Sequence, residues 1–305
     1  MNLPKILAQF AREHEPMRLH TTFKTGGNAD VYIKPPSEYF IECAKTCMQF
    51  ACSHNIPLFI LGGGANLCVS DKGIRGIVLD TTGFSGLAVE ESGGANAVIK
   101  AQTGASADET AAFAAQNGLR GLEFLSGLPG TAGGAVYMNA RCFEKQISDV
   151  LIEVEYLDRR LETLTLHKNI HEWDYKKSPF QNTHSLILSA RFTVQYGNKN
   201  DIYNLGAYYK KQREEKGHYR FPSAGSVFVN NHAFGKPSGV IIDELGLRGK
   251  SIGGAQVAPW HGNFIINTGN ASSADIYALV KYIKNEAQKQ AGIKLVEEII
   301  FAGEW

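Results

Sequence analysis

The sequence predicts an α+β fold, and three observations carry that prediction. Residues 150–157, 161–166 and 185–196 alternate or run apolar, as antiparallel strands do. Helical periodicity appears in separate stretches, clearest at 37–54 and 273–291. Near residue 198 the character changes to a polar helix followed by turns and a second strand group. No internal repeat or low-complexity linker interrupts the chain, so its parts are expected to pack closely.

In order, residues 3–14 read as a short amphipathic helix. TTFKTGGNADVYIKP then forms a polar turn with two glycines entering a strand that Pro35 ends. Phe40, Ile41, Ala44, Cys47, Met48 and Ala51 recur at helical spacing within 37–54, and PLFILGGG is a buried strand running into a glycine turn. Strands follow at 75–80, 86–90 and 97–103. Ser106 starts a helix as its N-cap, with Glu109 three residues on and Gly118 closing it. The stretch 121–139, GLEFLSGLPGTAGGAVYMN, breaks too often for regular structure and reads as loop and short helix. After 198, a polar helix over 200–216 leads to the turn FPSAGSVF, a helix from Pro237 to Gly246, and strands at 254–258 and 263–268. Ser272, Asp275 and Gly292 frame the helix 273–291 as N-cap, third residue and C-terminal glycine. A strand over 293–301 closes the chain.

The 305 residues carry 31 basic against 30 acidic side chains. Near-neutrality argues against a large nucleic-acid surface, which needs a basic patch, but leaves room for a local pocket for a phosphorylated ligand. No apolar run reaches membrane-spanning length, and Met1 to Pro16 has neither signal- nor transit-peptide character, so the cytoplasm is the expected compartment. The five cysteines, Cys43, Cys47, Cys52, Cys68 and Cys142, are an odd set and read as reduced thiols. Cys43 and Cys47 lack a second pair to complete a zinc site, and His167 and His171 lack a third ligand, so no metal is expected.

Two nucleotide signatures fail. GLRGKS at 246–251 has Glu244 where a phosphate loop needs glycine, and GGGANL at 62–67 has Leu67 at the third glycine position of a dinucleotide fingerprint. The glycines still need a role. Gly62, Gly63 and Gly64 follow a buried strand, and a second run holds Gly127, Pro129, Gly130, Thr131, Gly133 and Gly134, with Asn139 beyond. Either run alone fits a tight turn as well as an anion cradle of backbone N–H groups. Two in one half of the chain favour a dinucleotide diphosphate held between two lobes. In the last third, Ser226 follows a glycine that permits an exposed, sharply turned position in PSAGSVFVN, though a serine in such a turn, taken alone, reads as structural before it reads as reactive. Arg213 and Lys216 share a helical face, either solvated or facing a diphosphate. Glu297 and Glu298 sit in an apolar strand, where alternation sends them to opposite faces and one inward.

Six blocks together resemble the UDP-N-acetylenolpyruvoylglucosamine reductases, in that family's order: TTFKTGGNAD, LGGGANLCVSDKGIRGIVLD, GLEFLSGLPGTAGGAVYMNA, PSAGSVFVN, GLRGKSIGGAQVAPWHGNFIINTGNA and LVEEIIFAGE. The compact 156–200 region resembles the shorter class, which lacks a substrate-covering insertion. The resemblance implies a vanillyl-alcohol-oxidase-type fold, with an FAD-binding domain over 1–197 (subdomains about 1–80 and 81–197). A substrate domain would occupy 198–305, its last strand a candidate to return to the FAD domain. It implies non-covalent FAD, NADPH as reductant, and reduction of UDP-N-acetylglucosamine enolpyruvate for peptidoglycan.

Carried over by position, Gly62, Gly63, Gly64, Ala65, Asn66 and Leu67 match cofactor-binding positions, as do Gly127, Pro129, Gly130, Thr131, Gly133, Gly134 and Asn139. Ser226 matches the proton donor and Glu298 the closing catalytic acid, while Tyr175, Arg213, Lys216 and Asn230 match substrate-binding positions. The family's catalytic Arg after Tyr175 is here Lys176, which keeps the charge but not the planar fork. Arg141 and Cys142 replace a small Gly-rich stretch, and Val229 replaces a basic residue. The alternatives are a flavin oxidase of the same fold and a non-catalytic sugar-nucleotide-binding descendant.

Overall fold

The computed structural model describes residues 1–91 and 93–305. A single helical turn, α1 (Lys5–Ala8), precedes β1 (Ala11–Pro16) and β2 (Asn28–Ile33); α2 (Phe40–Ser53), β3 (Leu58–Leu61), β4 (Leu67–Val69) and β5 (Ile74–Asp80) follow. Then come β6 (Leu87–Glu91), β7 (Asn96–Gln102), α3 (Ala107–Gln116), β8 (Leu119–Arg120) and α4 (Ala132–Tyr137). The hairpin β9 (Arg141–Cys142) and β10 (Lys145–Gln146) leads to α5 (Ile147–Val150), β11 (Leu151–Leu157), β12 (Thr163–His167) and β13 (Leu186–Tyr196). The remainder is α6 (Lys199–Glu215), α7 (Ser238–Glu244), β14 (Ser251–Ile252), β15 (Ala255–Val257), β16 (Ile265–Asn267), α8 (Ser273–Ala291) and β17 (Ile300–Ala302).

The chain divides into two compact units. One comprises Met1–Arg12, Val31–Gly63 and Gly76–Gln212; the other comprises Glu13–Asp30, Gly64–Arg75 and Arg213–Trp305. The unit holding most of the first two-thirds has two cores. In one, the inner face of α2 (Phe40, Cys43, Ala44, Cys47) packs with Val31, Ile33, Ile77 and Leu79, where β3 and β5 run parallel. In the other, Ala111 and Ala114 of α3 and Ala135 and Val136 of α4 lie against Ile99, Ala190 and Phe192. Those last residues belong to a sheet of order β12-β11-β13-β7-β6, with β8 added beside β13. The small residues of α3 and α4 let the helix backbones approach closely, at the expense of individually weak contacts.

The second unit is centred on α8. Its apolar stripe of Ile276, Leu279, Val280 and Ile283 packs with Val257, Ile265 and Phe228, and also with Phe23 and Cys68 from the two early segments. The cap expected at Ser272 forms in both directions with Asp275, and Gly292 adopts the left-handed conformation beyond the end. Asp71 adds its carboxylate to the same terminus, accepting from the N–H of Ser273 at 2.9 Å and Ala274 at 2.8 Å.

Two sequence expectations need correcting. Only Lys5–Ala8 of the helix expected over 3–14 is helical, a turn follows, and β1 takes over from Ala11. A helix bounded by Pro4 and Pro16 is too short to recover its nucleation cost, whereas a strand gains ladder bonds at once. The apolar residues Ile6, Leu7 and Phe10 reach the core either way. The closing strand is Ile300–Ala302 rather than 293–301. Its backbone changes partners midway: Glu298 N–H donates to the Val227 carbonyl at 2.7 Å, and Ile300 N–H to the Asn66 carbonyl at 2.9 Å. From Ile300 onward it runs parallel to β4. Glu297 and Glu298 are therefore not alternating members of one regular strand, and both are half-buried.

Candidate active site

The two glycine runs meet. A Cβ on Gly63 would stand 2.6 Å from the Gly130 Cα, and one on Gly62 would stand 2.8 Å from Thr131 Oγ1. Backbone approaches this close are open to glycine alone. Thr131 caps α4 through the Gly134 N–H at 3.2 Å, and Gly130 is left-handed at φ 106°. The N–H groups of Gly63, Gly64 and Ala65 donate to no protein acceptor among the described residues. Gly63 is exposed, Ala65 half-buried and Gly64 buried; unpaired backbone donors in a glycine turn are what a dinucleotide diphosphate requires, and FAD fits them.

The second run divides its labour. Gly127 donates to Asp108 Oδ1 at 2.8 Å. Gly133 donates to the Thr103 carbonyl at 2.9 Å and is too close to Thr103 Oγ1 to carry a side chain. Both shape the loop from inside, while Pro129 and Gly134 are exposed. Asn139 is fully buried. Its amide donates to the Asp174 carbonyl at 2.9 Å and accepts from the Ser148 N–H at 3.0 Å, so it fixes the turn that follows rather than presenting itself at the surface.

That turn carries Tyr175 and Lys176. Asp174 and Lys177 close it as an isolated bridge, and Lys176 takes φ 59° at its tip. A left-handed lysine costs roughly 1 kcal/mol, and the surroundings hold it there. Gln181 Nε2 donates to the Lys176 carbonyl at 3.0 Å, and Ser178 Oγ to the Tyr137 carbonyl at 2.7 Å. The Arg141 guanidinium lies over the Tyr175 ring, 5.6 Å from its centroid. Cys142 turns away, its thiol directed to the Phe124 carbonyl at 3.1 Å.

In the second unit the fold joins residues far apart in sequence. Segments 226–229 and 296–298 run side by side. Phe228 bridges Glu297, Val229 N–H reaches the Val296 carbonyl at 2.9 Å, and Glu298 N–H reaches Val227. Ser226 and Glu298 thus stand on neighbouring extended segments, both half-buried. Asn66 Nδ2 donates to the Glu298 carbonyl at 2.9 Å, tying the end of the GGGAN run to that carboxylate's backbone. Gly225 is left-handed at φ 71°, as a sharp turn before Ser226 requires.

Arg213 and Lys216 do not share a solvated helix face. Arg213 is 4% exposed on the last turn of α6, and Lys216 lies just past the helix end, exposed. Asn230 is exposed and accepts from the Ser238 N–H at 2.9 Å at the start of α7. Beside Arg213 lies His218, whose ring packs on Phe264 at 4.8 Å. Burial, and then the charge of Arg213, push the His218 pKa down to about 4. Between pH 6.5 and 4 the unfolded chain takes a proton that the folded protein refuses, so stability falls on acidification through that window and is indifferent to this group above it. Full burial would make the shift worth about 3 kcal/mol; solvent screening brings it to roughly 2. His218→Gln should flatten the melting temperature against pH between those limits. An unaltered slope would remove His218 as the cause.

Sequence reading missed Asn263, which clasps Phe228 from both sides, donating to its carbonyl at 2.8 Å and accepting from its N–H at 2.9 Å. Asn267 similarly donates to the Phe23 carbonyl at 2.9 Å. The signal was present: two asparagines flank the apolar FII of a strand, and a buried amide needs partners. The five cysteines are thiols rather than disulfide halves, and burial raises those of Cys47 and Cys68 to about 12, far from thiolate reactivity. No helix of the described residues is long and apolar enough to cross a membrane.

Comparison with known proteins agrees with this arrangement. Residues 33–166 match the family described as an FAD binding domain, and residues 217–302 match the C-terminal domain of UDP-N-acetylenolpyruvoylglucosamine reductase. The reductase of Treponema denticola is 38% identical, covering 96% of this chain and 93% of its own. That of Borreliella burgdorferi is 38% identical and covers 99% of each. The crystal structure of the reductase from Thermus caldophilus superposes with a TM-score of 0.79 at 28% identity, over 96% of this chain and 100% of that one. The expected α+β class and FAD-binding fold hold.

Proposed function

The chain belongs to the UDP-N-acetylenolpyruvoylglucosamine reductase family, and from that premise we propose that it uses NADPH to reduce UDP-N-acetylglucosamine enolpyruvate to UDP-N-acetylmuramate. The setting is peptidoglycan precursor synthesis in the cytoplasm. The observation that supports this most directly is the pairing of segments 226–229 and 296–298, which brings a hydroxyl and a carboxyl group onto neighbouring backbone.

FAD, bound non-covalently, would supply the redox chemistry, accepting hydride from NADPH and passing it to the terminal carbon of the enolpyruvyl group. The glycines at 62–64 with Ala65, Asn66 and Leu67, and the facing Gly130 and Thr131, would hold its diphosphate. Gly127, Pro129, Gly133, Gly134 and Asn139 shape that cradle. The substrate's double bond is consumed by one hydride and one proton. As hydride arrives, negative charge builds on the adjacent carbon and its carboxylate. Lys176 stabilises it by charge, and Glu298, when protonated, by donating a hydrogen bond. Ser226 Oγ gives its proton to the carbon and recovers one from solvent. Tyr175, Arg213, Lys216 and Asn230 bind the sugar nucleotide, the basic pair meeting phosphate. Residues 1–197 serve the flavin and 198–305 the substrate, with segments 13–30 and 64–75 packed into the compact unit that holds most of the latter.

NADPH oxidation by the purified protein, with and without the enolpyruvyl substrate and with flavin absorbance followed throughout, tests the assignment. Oxidation that requires the substrate supports it. A flavin that NADPH bleaches and the substrate does not recolour rejects the substrate assignment. Within the mechanism, Lys176→Ala should slow flavin reoxidation by substrate about 10²-fold, whereas Lys176→Arg should keep or raise it. Wild-type reoxidation by the Ala variant would remove Lys176 from the machinery.

A further inference from the structure

We propose that Arg141 is a second anion-binding group of the reductase site, supplying the planar guanidinium that grips the enolpyruvyl carboxylate alongside the ammonium of Lys176. The inference rests on the reductase reading and deepens it.

Arg141 starts the hairpin of β9 and β10, in register with Gln146. Its guanidinium lies over Tyr175, the residue before Lys176, at 5.6 Å. Asn139 clamps the Asp174 carbonyl at the base of the Tyr175–Lys176 turn from two residues before Arg141, so hairpin and turn are fixed to one another by a buried amide. A guanidinium carries its five N–H donors in one plane, and a cation–π contact through its central carbon does not use them up. The side chain is exposed, and no carboxylate pairs with it among the described residues. An exposed stack is worth only about 0.5–1 kcal/mol, which does not by itself require arginine. A fork of parallel donors over the residue that precedes a lysine does suit one ligand chemistry, a carboxylate taken bidentately, with the ammonium supplying undirected charge. Lys176, at φ 59°, is held at the tip of its turn, so the two cations are presented from rigid backbone.

The test is a stopped-flow comparison of both half-reactions in the flavin-loaded wild type, Arg141→Gly, Arg141→Gln, Lys176→Arg and the double variant Arg141→Gly/Lys176→Arg. Arg141→Gly and Arg141→Gln should leave flavin reduction by NADPH within about twofold and slow reoxidation by the enolpyruvyl substrate, or raise its Kd, about 10–100-fold. The double variant, with its guanidinium returned at 176, should recover to within a few-fold of wild type, a non-additivity that a merely structural Arg141 does not produce. The Gln variant retains most of the stem over Tyr175, and flavin content and melting temperature show that each variant is folded. Wild-type reoxidation in both single variants overturns the proposal. So does slowing confined to the NADPH step, which would assign the guanidinium to a phosphate, and so does a double variant no better than Arg141→Gly. A wild-type flavin that the substrate fails to reoxidise defeats the reductase reading and this proposal together, and is distinguished by appearing before any substitution.

Discussion

Ser226→Ala should leave NADPH reduction of the flavin at its wild-type rate and slow the flavin's reoxidation by the enolpyruvyl substrate by about 10³-fold or more. The asymmetry follows from where the proton is needed. Flavin reduction by NADPH asks nothing of a serine hydroxyl, whereas hydride addition to the enol ether leaves a strongly basic carbon that must be protonated. A hydroxyl is a weak acid, so it serves only such a base, and only from a fixed position. The position is fixed from three sides: Gly225 turns the backbone at φ 71°, Asn263 clasps the Phe228 backbone, and Val227 accepts from Glu298 N–H. Alanine alters none of these contacts, so the loss would reflect the missing proton. Rapid mixing that resolves the two half-reactions decides it. Equal slowing of both steps would show that residue 226 supports the site's structure and is not its acid. Cysteine at 226, a stronger acid of similar size, should recover part of the second step.

The elements most legible in the sequence are those whose signals are local. α8 declares itself through Ser272, Asp275 and Gly292, and all three act as read. The strands near 151–157, 163–167 and 186–196 follow from alternation and pair as an antiparallel group. Where the signal was ambiguous, tertiary partners decided. Ile6, Leu7, Phe10 and Ala11 have helical spacing, yet β1 forms from Ala11 because ladder bonds at a sheet edge outweigh a helix this short. The LVEEIIF run reads as one strand, but no local rule reveals that its backbone leaves Val227 for Asn66 at Ile300.

The candidate site shows the same division. Glycine runs announce close backbone approach, and their meeting at Gly63 and Gly130 is the long-range fact that sequence alone withheld. The neighbourhood of Ser226 and Glu298, 72 positions apart, depends on pairing of a turn, PSAGSVF, with the LVEEIIF run, and no local rule names either as the other's partner. Arg213 illustrates the reverse case: spacing put it on one helical face with Lys216, solvated or turned to a diphosphate, and the fold buries Arg213 while Lys216 stays exposed. Asn139, read as a cofactor contact, is spent on the Asp174 and Ser148 backbone. A side-chain amide in a loop gives no hint of which backbone it will satisfy.

Gly63→Ala is expected to yield a folded protein that has lost most of its flavin, with FAD affinity reduced about 100-fold or more. The added methyl would stand 2.6 Å from the Gly130 Cα and 3.1 Å from its carbonyl carbon, inside any tolerable contact, and both neighbours are backbone, so no side chain can swing aside. The two glycine runs must separate, and the Gly63, Gly64 and Ala65 donors then no longer face what they held. Overpacking typically costs 1–3 kcal/mol, which a chain of 305 residues with several separate cores can absorb, so the defect should concentrate in ligand binding. Two measurements separate the possibilities: the ratio of flavin to protein absorbance after purification, and the rise in melting temperature on adding FAD. Wild-type protein should show a large FAD-dependent rise, since a ligand that binds only the folded state stabilises it by mass action, and the variant should show little. A yellow, FAD-stabilised Gly63→Ala protein would mean that the two runs meet for packing alone, and the diphosphate would have to be sought on other donors.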